Sequence, residues 1–190
     1  MLAIFTRCVK LGPSGATKRA CYKVAFSMEE FPYLDDRNHR ITSPEDDAYN
    51  CIAWAAEDNL RWWWPRPEEF YYWPARVPRS ATIDAFVAAF ATLGYSPCGT
   101  GDFEPGFQKV AIYVNNENIP THMARQEPDG AWTSKLGGDV DIRHLTLGAI
   151  EGSLYGRVSQ FLRRSPINNQ SDTGPRTLWG LTTAPVASVA

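Results

Sequence analysis

Apolar side chains follow a helical spacing in one part of the chain. Within residues 81–94 they recur at one-turn intervals and Gly94 supplies a stop, so the pattern predicts an amphipathic helix. Two further helices are predicted: one begins at the capping residue Ser43 and runs through residue 59, and the last covers about residues 145–164. The apolar stripe of the helix at residues 81–94 consists of Ile83, Phe86, Val87 and Phe90.

After residue 107 the hydrophobic period changes to two, which is typical of β-strands. The predicted strands are 108–114, 120–126 and 131–136, and turns rich in Asn, Asp and Gly separate them as hairpins. Residues 60–78 contain four prolines and three consecutive tryptophans, which predicts an irregular loop packed by aromatic rings. A cysteine-bearing helix followed by this meander indicates an α+β domain, in which the helix packs on a small antiparallel sheet.

Weak patterning at the two ends confines the predicted domain to residues 28–164. Residues 1–27 mix Gly, Pro and basic residues and are predicted to form a loosely attached arm. Residues 165–190 are rich in Ser, Thr, Pro, Gly and Asn, which predicts an extended or disordered tail. A chain of 190 residues has room for one ordinary domain but not for two.

Composition and charge exclude several classes of function. A net charge of −2 gives no general attraction to phosphate or anionic lipid, so neither nucleic acid nor a membrane is an expected partner. The first residues lack a secretory signal, which predicts a cytoplasmic protein or one exported without a signal peptide. The four cysteines form no CxxC pair, so the sequence predicts no structural zinc and no other cofactor.

Cys51 is the candidate nucleophile. It lies in the segment YNCIAWA near the start of a predicted helix, where backbone N–H groups and the positive end of the helix stabilise a thiolate. The alternative is a small buried apolar residue. Asn50, directly before the cysteine, is either a hydrogen-bond donor to an oxyanion or a helix-capping residue.

His122 is the candidate base, because it alone of the three histidines lies inside a predicted strand. A hydrogen-bonded structural histidine is the alternative interpretation. Side chains alternate across a strand, which places Gln126 on the same face as His122. A base needs a group that fixes its tautomer, and Asp141 is the predicted orienting residue, with Asp139, Ser134 and Gln126 as alternatives.

The order of these segments resembles that of the papain-like cysteine hydrolases. Residues 109–136 resemble the strand core of bacterial cell-wall endopeptidases and amidases of that superfamily. They also resemble its transglutaminase-like branch, in which a strand histidine precedes a Gly-x-Trp turn, here Gly130-Ala131-Trp132. The segments YNCIAWA, THMARQ and WTSKLG are similar to those of a bacterial family that has them in this order, over most of residues 31–164.

The resemblance implies a papain-like fold in which Cys51 attacks, His122 accepts the proton and Asp141 orients the imidazole. The cell-wall branch places its catalytic histidine where this chain has Lys109, so either His122 has taken over as the base or the site is inactive. The aromatic loop either fills a core or forms a wall for sugar rings or an extended peptide. The predicted substrate-binding residues are Asn50, Trp62, Trp63, Trp64, Gln126, Trp132 and Ser134.

Together these features predict a cysteine-dependent hydrolase or acyltransferase that acts on an amide bond of a peptide or protein, as a peptidase, amidase or deamidase. If it acts on another cell, the protein would be an effector toxin with a cognate inhibitor or immunity protein as its partner. The alternative is a catalytically inactive papain-like binding module that uses loop 60–78. A third hypothesis, a zinc enzyme with Cys51, His122, His144 and Asp141 as ligands, has no short ligand pair to support it, and the default role of His144 is a surface or capping residue.

Overall fold

The computed structural model describes residues 29–165 in full and the backbone of residues 2–11 and 18–27. The two N-terminal segments are strands β1 (Leu2–Leu11) and β2 (Lys18–Ser27), which pair as an antiparallel hairpin. The predicted N-terminal arm therefore has the backbone of a β-hairpin. The predicted tail, apart from Ser165, lies outside the described residues.

A seven-stranded antiparallel sheet forms the centre of the fold. In chain order its strands are β3 (His39–Ile41), β6 (Ser96–Cys98), β7 (Gln108–Val114), β8 (Pro120–Gln126), β9 (Trp132–Lys135), β10 (Asp141–His144) and β11 (Arg157–Arg164). Their order across the sheet is β3-β10-β9-β8-β7-β11-β6, and each neighbouring pair is antiparallel. The aromatic loop, between β3 and β6 in the sequence, contributes β4 (Trp62–Trp63) and β5 (Tyr71–Tyr72), which pair with each other in parallel.

The three strands predicted from the period of two are confirmed, since β7 and β8 have the predicted bounds and β9 is shorter by one residue at each end. The amphipathic helix is also confirmed as α2 (Ile83–Ala91), and the Thr82 hydroxyl caps it by accepting a hydrogen bond from the backbone N–H of Ala85 at 3.3 Å.

The helix predicted from Ser43 is wrong, because only α1 (Cys51–Ala55) is helical in that segment. Residues 42–46 instead run alongside the start of β10. The Ser43 hydroxyl accepts a hydrogen bond from the Asp141 N–H at 2.9 Å, and the Thr42 N–H donates to the Asp141 carbonyl at 2.8 Å. The cap of the real helix is Asn50, whose Oδ1 accepts a hydrogen bond from the Ala53 N–H at 3.1 Å.

The helix predicted for residues 145–164 is also wrong. A short 3₁₀ turn, Leu147–Ile150, is followed by a turn closed by paired Gly152 and Gly156 and then by strand β11. Gly156 has a φ of +74°, and a Cβ atom there would lie 1.9 Å from the carbonyl oxygen of Val114. Only glycine allows the chain to pass β7 this closely, and a φ of this sign interrupts a right-handed helix.

The predicted fold class, a papain-like α+β domain with a cysteine-bearing helix on a small antiparallel sheet, is therefore wrong. The sheet has seven strands, and the cysteine-bearing helix has only five residues. The sheet dominates the architecture, while α1 and the nine-residue α2 cover part of one face.

Two hydrophobic clusters lie on the two faces of the sheet, and β8 contributes to both because its side chains alternate. Met123 packs in the first cluster with Cys51, Ile52 and Phe86. The neighbouring Ala124 packs in the second. Burial of a side chain such as Ile52 or Phe86 stabilises the fold by roughly 1.5–3 kcal/mol each. Among the described residues, no helix is long and apolar enough to cross a bilayer.

Candidate functional site

Strands β8 and β9 pair over only part of their length, and α1 packs across both strands. Their pairing is confined to Arg125 with Thr133 and Gln126 with Trp132. Trp54 on α1 is bonded to both strands: its indole N–H donates to the Thr133 hydroxyl at 3.1 Å, and its carbonyl accepts from Arg125 at 3.0 Å. The start of α1 is thereby held over the part of β8 that is not paired with β9.

Cys51 is the first residue of α1 and is 6 % exposed. Its sulfur lies against the backbone N–H groups of Met123 and Ile52, which favour the thiolate, but burial outweighs them and raises the pKa of the thiol to about 11. At neutral pH the cysteine is therefore a protonated thiol. A helix of five residues does not produce the thiolate that the sequence pattern predicts.

His122 is fully buried and belongs to a chain of hydrogen bonds. Its Nε2 atom lies 3.0 Å from the hydroxyl of Ser134, and that hydroxyl lies 3.0 Å from Nε2 of His144. The chain ends where Nδ1 of His144 lies 2.8 Å from the carbonyl oxygen of Thr146. Nδ1 of His122, at the other end, is buried without a hydrogen-bond partner among the described residues.

The protons in this series of hydrogen bonds can be assigned by starting from His144. The carbonyl of Thr146 only accepts, so Nδ1 of His144 carries a proton. Burial lowers the pKa of His144 to about 4, so at neutral pH its Nε2 has a lone pair and receives the single proton of the Ser134 hydroxyl. The oxygen of Ser134 then accepts from Nε2–H of His122. His122 is left with an unprotonated lone pair on Nδ1.

The environment of His122 keeps it neutral. Burial, with a smaller contribution from repulsion by His144, lowers the pKa of His122 well below the usual value. The ring stacks on Tyr155 at 4.0 Å between centroids and meets Tyr113 edge-on at 5.3 Å. A buried lone pair without a donor costs about 1–3 kcal/mol, so the arrangement is unfavourable for stability alone.

The structure brings Cys51 next to the main chain of His122 but does not join their side chains. The sulfur contacts the N–H of the peptide that links His122 to Met123, and Thr121 lines the same cavity as the cysteine. No hydrogen bond between the thiol and the imidazole is formed within the described residues. Tyr155 is close to both residues: its ring stacks on the imidazole of His122, and it lines the same cavity as Cys51.

Asp141, the predicted orienting residue, is not bonded to His122. Its Oδ2 accepts a hydrogen bond from the Tyr49 hydroxyl at 2.8 Å, and its Oδ1 lies 4.0 Å from the ammonium of Lys135. The group that orients His122 is Ser134, which is one of the alternatives to Asp141 and also a predicted substrate-binding residue. Ser134 has no exposed surface and is not among the residues that line the cavity beside Cys51, so its role is positional.

The remaining predicted binding residues divide into two groups. Asn50, Trp62 and Trp64 line a cavity of about 300 Å³ beside Cys51. The amide of Asn50 makes three hydrogen bonds inside the protein: Oδ1 accepts from the backbone N–H groups of Ala53 and Trp63, and one hydrogen of Nδ2 is donated to the Trp63 carbonyl. It is a capping residue, and the second hydrogen of its Nδ2 has no acceptor among the described residues. Trp63, Gln126 and Trp132 are 2 %, 4 % and 4 % exposed and are not among the residues that line this cavity.

Lys109 stands where the cell-wall endopeptidases have a histidine, and it is a structural residue here. It is 3 % exposed, and its ammonium donates to the carbonyls of Thr100 and Asp102 at 3.2 and 2.7 Å and pairs with Glu104 at 3.4 Å. The four residues considered as zinc ligands are not brought together, and no group of three or more His, Cys, Asp or Glu in the described part of the chain is placed to hold a metal ion.

Sequence reasoning missed the roles of His144 and Tyr155. His144 is completely buried and not at the surface, because the helix expected to follow it does not form and β10 is flanked on both sides by β3 and β9. Residues 141–144 have the alternation of a strand, which places His144 on the same face as the apolar Ile142. This pattern could have predicted that His144 is buried. Tyr155 lies in the turn before β11, and no sequence pattern links it to His122.

The fold and the site define a small antiparallel-sheet domain with a buried cysteine beside a network of two histidines. Residues 40–163 match the family profile described as a domain of unknown function, DUF7689, and the chain belongs to this family. The matched region contains all the residues of the site. No curated protein and no solved structure matches the chain significantly.

Proposed function

We propose that the protein is a cysteine-dependent hydrolase or acyltransferase that acts on an amide bond, with Cys51 as nucleophile and Nδ1 of His122 as base. The observation that carries the proposal is the lone pair on Nδ1 of His122. It is buried, it has no partner, and Ser134 and His144 hold the opposite nitrogen in the N–H form. A base fixed in one tautomer is one of the two groups that acyl transfer requires, and the other, the thiol of Cys51, contacts the backbone N–H that follows His122 in β8.

The raised pKa of Cys51 indicates when the proton moves. A thiol with a pKa of about 11 is not deprotonated in advance, so the base removes the proton as the sulfur attacks the carbonyl carbon. Because side chains alternate along β8, the imidazole of His122 lies on the face of the sheet opposite to Met123 and Cys51. The proposal therefore requires a rearrangement of β8 that brings Nδ1 to the thiol when substrate enters the cavity. Catalytic hydrogen bonds are often absent from the substrate-free state.

The reaction then proceeds in two halves. The sulfur bonds to the carbonyl carbon, Nδ1 of His122 takes the thiol proton, and the tetrahedral intermediate expels the amine, which receives that proton. The product is a thioester on Cys51. Water attacks the thioester, or an amine in the case of transfer, and His122 passes the proton of the attacking group back to the sulfur. The second half releases the acid or the new amide.

A second function is supported by a different observation. The thiol and the imidazole share no hydrogen bond, and burial raises the pKa of Cys51 rather than lowering it. These facts favour a domain that binds a ligand in the aromatic cavity without chemistry, with Cys51 as a packed core residue. The two functions differ in one respect, which is whether an acyl group is transferred to Cys51.

The test is acylation by p-nitrophenyl acetate, an activated acyl donor that reports on the nucleophile without knowledge of the substrate. The proposal predicts release of p-nitrophenol and one acetyl group on the Cys51 peptide by mass spectrometry. Cys51→Ala should abolish both, whereas Cys98→Ser should change neither, because Cys98 is a partly exposed cysteine whose thiol faces the Thr100 carbonyl. Acetylation of Cys98 but not Cys51 in the folded protein would favour the binding domain.

A further inference from the structure

The cavity beside Cys51 is walled by aromatic rings. Its volume is about 300 Å³, which suits a ring with a short chain. Trp62, Trp64 and Tyr71 come from the aromatic loop, and Tyr155 closes the side next to His122. Flat apolar walls of this kind bind planar or apolar groups by stacking.

Several polar groups of the lining are already engaged. Asn50 is bonded to Ala53 and Trp63, and the Thr121 hydroxyl donates to the Tyr155 carbonyl at 2.6 Å. The indole N–H of Trp64 has no acceptor among the described residues. This indole N–H is a free donor in the wall of the cavity, and it favours a ligand that supplies an acceptor.

Arg66 is the single charged residue of the lining. Other arginines of the described chain, such as Arg61, Arg143 and Arg163, are paired with carboxylates at 2.6 Å. Arg66 is exposed and has no carboxylate within ion-pair distance in the part of the chain that the structure describes. Asp47 stands beside Trp62 and accepts the indole N–H with its carbonyl, but its side chain is not among the lining residues.

We infer that this cavity binds a small aromatic carboxylate, either a free acid or the carboxylate-bearing end of an acyl substrate. The ring stacks between Trp62 and Trp64, and the carboxylate pairs with Arg66 at the rim. Reaction of such a substrate at Cys51 rests on the proposed function, whereas its binding does not.

Aromatic walls also suit a cation, because the faces of indole and phenol rings carry negative electrostatic potential. Arg66 decides between the two charges, since a guanidinium in the lining repels a cationic ligand and attracts an anionic one. The choice between a cation and a carboxylate is therefore a direct test of the assignment.

The experiment is isothermal titration calorimetry of the full chain with three probes of similar size: phenylacetate, phenylacetamide and benzyltrimethylammonium. We expect phenylacetate to bind most tightly and to weaken as salt is raised, because the pair with Arg66 is screened. Arg66→Gln should weaken phenylacetate by about fivefold, the upper range for an exposed ion pair, and should leave phenylacetamide unchanged. Arg76→Gln is the matched control, an exposed arginine of the same loop that does not line the cavity.

The same titration in Cys51→Ala separates this inference from the proposed function. Selective phenylacetate binding that survives in Cys51→Ala supports the inference, whether or not Cys51 is acylated by p-nitrophenyl acetate. Equal affinity for phenylacetate and phenylacetamide, preference for benzyltrimethylammonium, or equal losses in Arg66→Gln and Arg76→Gln would each overturn it. Absence of binding by all three probes would overturn it too, and acylation of Cys51 would still stand as a separate result.

Discussion

His122 and His144 are joined through one hydroxyl, that of Ser134, which lies 3.0 Å from Nε2 of each ring. The two rings come from β8 and β10 and the hydroxyl from β9, so three adjacent strands fix the position of the imidazole. Because Nδ1 of His144 is bonded to a carbonyl, the order of donors along the chain has one solution at neutral pH. That solution leaves the lone pair of His122 on Nδ1.

Removal of the bridging hydroxyl should destabilise the protein. Ser134→Ala leaves the buried Nε2 atoms of His122 and His144 without partners, which we expect to lower the free energy of unfolding by roughly 2–4 kcal/mol. Urea denaturation measures this quantity. Ser153→Ala is the control, because its hydroxyl makes a single exposed bond to the Glu29 carbonyl, and we expect a change within about 0.5 kcal/mol. Equal, small effects of both substitutions would show that the bridge is not formed.

The protons of the two rings can be observed directly. Long-range ¹H–¹⁵N correlation spectra at pH 7 should show His122 with its proton on Nε2 and His144 with its proton on Nδ1, because each proton faces a fixed acceptor. The spectra of His122→Gln and His144→Gln assign the signals. A His122 signal with the proton on Nδ1 would contradict the network and would leave no base for Cys51.

Acid should destabilise the fold through the same pair. The folded-state pKa of His144 is about 4, below its usual value of 6.5, so the unfolded chain binds more protons between these limits and stability falls as pH decreases through them. His144 alone accounts for a loss of roughly 2 kcal/mol between pH 7 and pH 5, and His122, whose pKa is lowered by burial in the same direction, adds to it.

Urea unfolding at pH 7 and pH 5 measures this loss. In His144→Gln the loss should be smaller, because one of the two buried groups that take up a proton on unfolding has been removed. If the wild type has equal unfolding free energies at pH 5 and pH 7, the histidines are not held neutral by burial.

One prediction distinguishes the observed fold from the helix expected at residues 145–164. Gly156→Ala should lower the free energy of unfolding by about 3 kcal/mol or more, because the φ is +74° and the new methyl group would overlap the Val114 carbonyl. If the segment were helical, the same substitution would stabilise it by about 1 kcal/mol. Gly148→Ala, where the methyl group meets nothing within 4 Å, is the control and should have little effect.

The sequence predicts the elements whose pattern is local. β7 and β8 are seven-residue segments bounded by turn residues, and α2 has one apolar stripe, so each element can be identified from its own residues. The segments at Ser43 and Gly156 are different, because their conformations depend on β10 and β7, which are distant in the sequence. A capping residue such as Ser43 or a single glycine such as Gly156 does not indicate which distant strand the segment will contact.

The same distinction applies to the site. Cys51 and His122 can be selected from the sequence because their types and local elements suggest chemistry. Their partners cannot, since Ser134, His144 and Tyr155 meet His122 only through the strand order and the turn before β11. Asp141 is a plausible orienting residue by type alone, yet the register of β10 places its carboxylate against Tyr49.

The central claim is that His122 acts as the base for Cys51, and the rate of Cys51 acetylation by p-nitrophenyl acetate at pH 7.5 tests it most directly. The account predicts that His122→Gln, verified as folded by circular dichroism, lowers this rate by on the order of 10²-fold, and that the gap narrows as the pH approaches the thiol pKa of about 11. Equal rates of Cys51 acetylation in wild type and His122→Gln at pH 7.5 would contradict it.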